Sequence, residues 1–120
     1  MPPGGVDSGL KFMGKGAFGF PKGDRMPAFF IARVNITDRE QYKKYLQVVP
    51  GIIKKYHGTA RVRTEEALTL EGPPENRRII VIEFPSVEEA ERFYHSAEYR
   101  EAIQIRKNAA AGEVIVVETV

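Results

Sequence analysis

Residues 77–110 read RRIIVIEFPSVEEAERFYHSAEYREAIQIRKNAA, and this stretch decides the fold. Arg78 to Phe84 is a β-branched run that suits a strand. Pro85 stops it, because proline cannot donate to a ladder. Ser86, with Glu89 three residues on, makes a capping box whose hydroxyl and carboxylate satisfy the first free N–H groups of a helix, predicted over 86–95. Ser96 begins a second helical segment with Tyr99, Ala102, Ile103 and Arg106 along one side. Gly112 is expected to break that segment and Glu113 to Thr119 to form the final strand.

Upstream, residues 27–36, PAFFIARVNI, are a strand whose alternation puts Phe30, Ala32, Val34 and Ile36 on one face and Phe29, Ile31, Arg33 and Asn35 on the other. Thr37-Asp38-Arg39-Glu40 reads as a capping box for a helix with one apolar stripe, which includes Tyr42, Tyr45, Val49 and Ile53. Pro50 predicts a kink, or a break and restart, and Gly58 a left-handed cap. Thr59 to Thr64 and Ala67 to Glu71 read as one interrupted strand, followed by the loop Gly72-Pro73-Pro74-Glu75-Asn76.

Residues 1–25 differ from the rest. They hold 7 of the 11 glycines and 3 of the 8 prolines without a helical or strand period, and read as a flexible extension, from an upstream start codon or an added leader. Gly14-Lys15-Gly16-Ala17-Phe18-Gly19 matches G-x-G-x-x-G, yet no strand precedes it and no helix follows, so it reads as a glycine-rich tail rather than a phosphate loop. Residues 26–120 form one domain.

Four of the 18 basic and two of the 16 acidic residues precede Met26, which leaves 14 of each in the domain. A domain with no net charge has no general attraction for phosphate backbones. The third strand also lacks the aromatics that RNA-recognition sheets use for base stacking. No nucleic-acid partner is expected. With no cysteine there is no thiol nucleophile or thiolate metal site, and no apolar run approaches the roughly 20 residues that span a bilayer. These features point to a cytoplasmic protein with no membrane partner.

Strand, helix, strand, strand, helix, strand is satisfied by a ferredoxin-like α+β fold, βαββαβ, with a four-stranded antiparallel sheet in the order 4-1-3-2 and the helices on one face. The other face carries Phe29, Ile31, Ile79, Val81 and two residues of Val114 to Val117. An apolar patch of that size needs a cover, and the simplest is a second copy packed sheet to sheet, a homodimer.

The residues from Met26 to Val120 resemble the dimeric α+β barrel superfamily and, within it, the domain of unknown function family 1330. The resemblance rests on Ile36-Thr37-Asp38 with Tyr42 and Tyr45, on Arg63, Glu71-Gly72 and Arg78, on Ile82-Glu83-Phe84-Pro85-Ser86, and on Phe93-Tyr94, Glu98-Tyr99, Arg106 and Ala109-Ala110. It implies the fold, a dimer and a small-molecule cavity between sheet and helices. Superfamily relatives include cofactor-independent monooxygenases, muconolactone isomerases and haem-degrading enzymes. The chain departs from the family pattern in having His57-Gly58 where paired glycines are usual, Thr64-Glu65 where a further pair follows Arg63, and Arg61 at an apolar position.

The candidate catalytic residues are Arg63 and Glu83. A guanidinium in a half-closed cavity suits a carboxylate or enolate oxygen, unless it is paired with Glu65, Glu66 or Glu83. Glu83 and Arg33 fall on the uncovered face of adjacent strands, where a cross-strand pair is possible and an enclosed carboxylate would act as a base. Arg33, Arg61, His57, Tyr94, Tyr99 and Arg106 are the candidate ligand-binding residues. His57 and His95 lack metal-ligand spacing, so no metal is expected, and nothing asks for a cofactor. Two functions follow: a cofactor-independent small-molecule enzyme or binder of the monooxygenase or isomerase sort, or a non-catalytic dimeric sensor or structural module.

Overall fold

The structure, a computed structural model, describes residues 26–120; the extension and its Gly14–Gly19 motif lie outside the described residues. The elements are β1 (Ala28–Ile36), α1 (Arg39–Lys55), β2 (Thr59–Thr64), β3 (Arg78–Phe84), α2 (Val87–His95), α3 (Ala97–Arg106) and β4 (Ala110–Glu118). The sheet runs β2-β3-β1-β4 with every pair antiparallel, the expected order. It is an open sheet and not a closed barrel. No described helix is long and apolar enough to cross a membrane.

Strand β1 is hydrogen-bonded on both sides, and its register sorts the sheet into rows. Arg78–Val34–Gly112, Ile80–Ala32–Val114 and Ile82–Phe30–Val116 face the helices. Ile79–Arg33–Glu113, Val81–Ile31–Ile115 and Glu83–Phe29–Val117 face away. On the covered side, Phe93 of α2 is wholly buried, with its ring 5.2 Å from Phe84, 5.6 Å from Phe30 and 4.4 Å from Tyr99. These four rings join β1, β3, α2 and α3 into one core.

The caps show how local chemistry sets the ends. Ser86 accepts from the Glu89 N–H at 3.1 Å, and Ser96 from the Tyr99 N–H at 3.1 Å, so two hydroxyls separate strand from helix and helix from helix. At α1 the cap is Asp38, not Thr37, and its carboxylate accepts from the Gln41 N–H at 3.1 Å. The box shifts by one residue because the Thr37 and Asp38 N–H groups both donate to the Ala109 carbonyl, at 2.8 and 3.0 Å. That contact docks the start of α1 on the α3–β4 connection.

Four local expectations are corrected. Helix α1 runs through Pro50 without the break and restart offered as the alternative to a kink. At its end the left-handed residue is His57, with φ 67°, rather than Gly58. The His57 N–H donates to the Lys54 carbonyl and the Gly58 N–H to the Ile53 carbonyl, which is a Schellman arrangement. Gly58 is needed for space instead: a Cβ there would lie 2.8 Å from both Ile53 and Phe84 side-chain carbons. Residues 67–71 are not a strand but part of an extended loop over 65–77, with Leu68 and Leu70 85% and 88% exposed. Finally, α3 ends at Arg106 and β4 begins at Ala110, so Gly112 lies inside the strand, where a Cβ would come within 2.4 Å of the Arg33 carbonyl oxygen.

The 65–77 loop holds its shape by polar contacts. Thr69 accepts from the Glu75 N–H at 2.9 Å, and the Glu75 carboxylate accepts from the Arg77 N–H and side chain at 2.9 to 3.0 Å. Arg77 reaches on to Glu113 at 2.9 Å. The Arg77 side chain, and then its backbone N–H, hold the Glu75 carboxyl down to about 2.

Two predictions follow from these contacts. His57→Gly relieves the left-handed strain and should raise the urea-unfolding free energy by roughly 0.5–1 kcal/mol, part of the gain being lost to the more flexible unfolded chain. Gly58→Ala at the adjacent position should lower it; equal and opposite results would invert the assignment of strain and space. For the loop, the Glu75 contribution is full above about pH 4.5 and is lost as the pH falls toward about 2. At pH 7, Glu75→Gln should speed proteolytic cleavage within 65–77 without changing cleavage elsewhere.

Candidate functional site

Strand β2 carries a bulge that decides which arginine reaches the helix side. Ala60 is opposite Ile82 and Val62 opposite Val81, with Arg61 as the extra residue between them. The parity reverses there, so Val62 and Thr64 turn to the uncovered face and Arg63, opposite Ile80, turns toward the helices. Without the bulge, Arg61 and Arg63 would share a face.

Between the helix side of the sheet and α1 lies a cavity of about 510 Å³. It exists because the sheet floor is low: Ala32, Ala60 and Gly112 contribute little or no side chain beneath Tyr42, Tyr45 and Val49 of α1. Much of the wall is apolar, including Phe30, Leu46, Ile53, Ile80, Ile82 and Phe93. The volume suits a small organic molecule.

Three arginines, Arg63, Arg78 and Arg106, line the cavity together with Lys54. Arg78 and Arg63 occupy neighbouring rows on β3 and β2, diagonal across the ladder. Arg106, in the last turn of α3, sits 5.5 Å from the centre of the Tyr45 ring. Among the described residues none of the three has a carboxylate within salt-bridge distance. Glu65 is held by both Arg39 nitrogens at 3.0 and 2.7 Å. Glu113 reaches the lining, but its carboxylate is taken on the other face by Arg77 at 2.9 Å and Arg33 at 3.4 Å.

The phenols complete the polar wall. The Tyr45 and Tyr99 hydroxyls share a hydrogen bond of 2.8 Å in the core. Burial pushes the Tyr45 hydroxyl well above the ordinary phenol range and raises that of Tyr42 against the opposing pull of Arg78 and Arg106, so each keeps its proton at neutral pH. For Arg106, burial alone would lower the pKa, but the oxygens of Tyr99 and Tyr45 raise it and prevail, so the guanidinium stays charged.

The residues singled out in the sequence divide between two faces. Arg63, Tyr99 and Arg106 meet at the cavity. Arg33, Arg61 and Glu83 lie on the uncovered face, and the expected Arg33–Glu83 pair is not formed. Glu83 is opposite Phe29 and bonds Arg61 at 2.9 Å, while Arg33 is opposite Ile79 and bonds Glu113, because Arg33 lies four positions along β1 from Phe29. The exposed His57 ring ends α1, 4.0 Å from Glu89. Tyr94 lines a second hollow of about 310 Å³ with Glu91 and His95, next to β4. Among the described residues no three His, Asp or Glu side chains gather as a metal site. Arg78 and Tyr42 were not among the candidates. Their signals were present: Arg78 shares parity with Ile80 and Ile82, and Tyr42 lies one turn from Tyr45.

Solved structures share this architecture. A protein of unknown function from Rhodopseudomonas palustris is 22% identical with a TM-score of 0.67, over 80% of this chain and 84% of that one. The cofactor-independent oxygenase SnoaB of Streptomyces nogalater is 7% identical with a TM-score of 0.56, over 79% and 94%. A dimeric ferredoxin-like protein of unknown function from Thermobifida fusca is 12% identical with a TM-score of 0.51, over 80% and 93%. These likenesses are of fold alone. No protein of curated function matches the chain. Residues 27–120, the whole of the sheet and its helices, match the model of the domain of unknown function DUF1330, and the chain belongs to that family.

Proposed function

We propose that this protein is a homodimeric small-molecule binder of the α+β barrel type, with one ligand cavity in each subunit. The observation that carries the reading is the cavity of about 510 Å³ between α1 and a sheet floor of small residues. Well-packed interiors rarely leave such space unfilled, and an apolar hollow with a few convergent polar groups is the usual form of a ligand site.

The second copy is the occupant that best fits the uncovered face. Ile115 and Val117 there are 51% and 40% exposed, beside Phe29, Ile31 and Val81. The apolar strip is flanked by Arg61–Glu83 on one side and Arg33–Glu113–Arg77 on the other. Each flank carries both signs, so two such faces related by a two-fold axis can meet without like-charge conflict. Residues 73–77 of the loop stand beside Arg33 on this face, and the same loop exposes Leu68 and Leu70. The dimeric Thermobifida fusca neighbour supports the same assembly.

An enzymatic reading, as in the Streptomyces nogalater oxygenase, draws on the same guanidinium groups, which would stabilise an oxyanion as it develops. Among the described residues no free carboxylate or imidazole faces the cavity, and that favours a binder or sensor over a reaction that needs a side-chain base.

Two measurements test the proposal. Val81→Asp, in the middle of the uncovered face, should give a folded monomer by sedimentation where the unaltered protein sediments as a dimer; a monomer in both cases would end the assembly reading. Ala60→Trp fills the cavity from its mouth and should abolish the fluorescence of bound Nile red, a neutral apolar dye, with the helical signal unchanged. Equal dye binding in that variant would place the ligand elsewhere.

A further inference from the structure

The cavity has a polar end rich in hydrogen-bond donors. The row Arg78–Val34–Gly112 closes one end of the helix-side face, and Tyr42, in the first turns of α1, stands over it beside the Arg78 guanidinium. The Tyr42 side chain is 98% buried, since only 2% of its surface is exposed, and its hydroxyl makes no hydrogen bond within the protein. Arg78 Nε and Arg106 Nε are also buried without an acceptor. All three residues line the same cavity, with Arg63 in the next row.

Buried donors without partners are rare in folded proteins. Three such atoms on residues that line one cavity, with the Glu65 and Glu113 carboxylates bonded to other arginines, describe a site completed by an acceptor from outside. We infer that the polar end of this cavity is a binding site for the carboxylate of an apolar organic acid, held by Arg78, Arg106 and Tyr42. The inference rests on the cavity reading above and adds the chemical class of its ligand.

A carboxylate fits the donors one by one. Its two oxygens offer about four acceptor positions, enough for a guanidinium fork and a phenol O–H together. Tyr42 keeps its proton at neutral pH and therefore donates. Away from Arg78, toward Ile53, Ile82 and Phe93, the wall is mostly apolar, with Lys54 and Thr59 as its polar members, and takes the hydrocarbon body. A free phosphate would leave that part of the cavity dry and empty. A neutral alcohol would leave the guanidinium groups without charge compensation.

The test is calorimetric titration of the purified full chain with 4-phenylbutyrate, the matching alcohol 4-phenylbutanol, and inorganic phosphate. The acid should bind roughly tenfold or more tightly than the alcohol, and phosphate weakly or not at all. Arg78→Met and Arg106→Met should each remove most of that preference and Tyr42→Phe part of it, while Arg33→Met on the opposite face should leave it unchanged. Arg78→Met should also melt at a higher temperature than the unaltered protein when no ligand is present, since it removes a buried N–H without an acceptor; a group kept only for packing would lower it. Equal binding of acid and alcohol, or binding of phosphate alone, would overturn the carboxylate assignment and leave the cavity reading standing. If neither the acid, the alcohol nor Nile red binds, the cavity reading falls as well.

Discussion

Strand β1 is bonded on both sides, and its strict alternation is the constraint on which the other elements depend. Phe30, Ala32 and Val34 are buried on one face, and their partners on β3 and β4 are drawn to the same side. A one-residue slip would expose all of them at once, so the register is held by the hydrophobic effect as much as by the ladder. The helices follow. Phe93 wedges α2 against Phe30 and Phe84, and the Ala109 carbonyl accepts from Thr37 and Asp38 to fix where α1 begins.

The same face is packed unevenly. Below α2 the aromatic rings fill the space between sheet and helix. Below α1 the floor is alanine and glycine, and the gap stays open with three arginines around it. Larger apolar residues at Ala32 and Ala60, and neutral ones at Arg63 and Arg78, would give a denser and more stable layer. Sites built for a ligand commonly carry such a cost in stability, because groups that meet the ligand stay unsatisfied without it.

Much of the architecture is legible locally. Ser86 and Ser96 act as caps through hydroxyl contacts within three residues, and the alternation of β1 separates its two faces without help from the rest of the chain. Other features depend on distant groups. Asp38 takes the cap of α1 because Ala109, far along the chain, has already engaged the Thr37 and Asp38 N–H groups. Residues 67–71 alternate like a strand, yet they find no neighbour beyond the sheet edge and remain an extended loop tied by Glu75 and Arg77.

The candidate site shows the same division. Arg63, Tyr99 and Arg106 can be picked from the chain as cavity residues, whereas the partners of the charged groups cannot, since a guanidinium bonds whichever carboxylate the register brings near. The bulge at Arg61 turns Arg63 toward the helices and leaves Arg61 to neutralise Glu83 on the far side. Sequence alone determined the order of the elements, the face of each residue on β1 and the donor types available, because these depend on period, capping and side-chain chemistry within a few residues. Tertiary structure decided which donors converge, which acids are already paired and where space is left empty, because bulges, cross-strand register and helix docking act between residues that are distant along the chain.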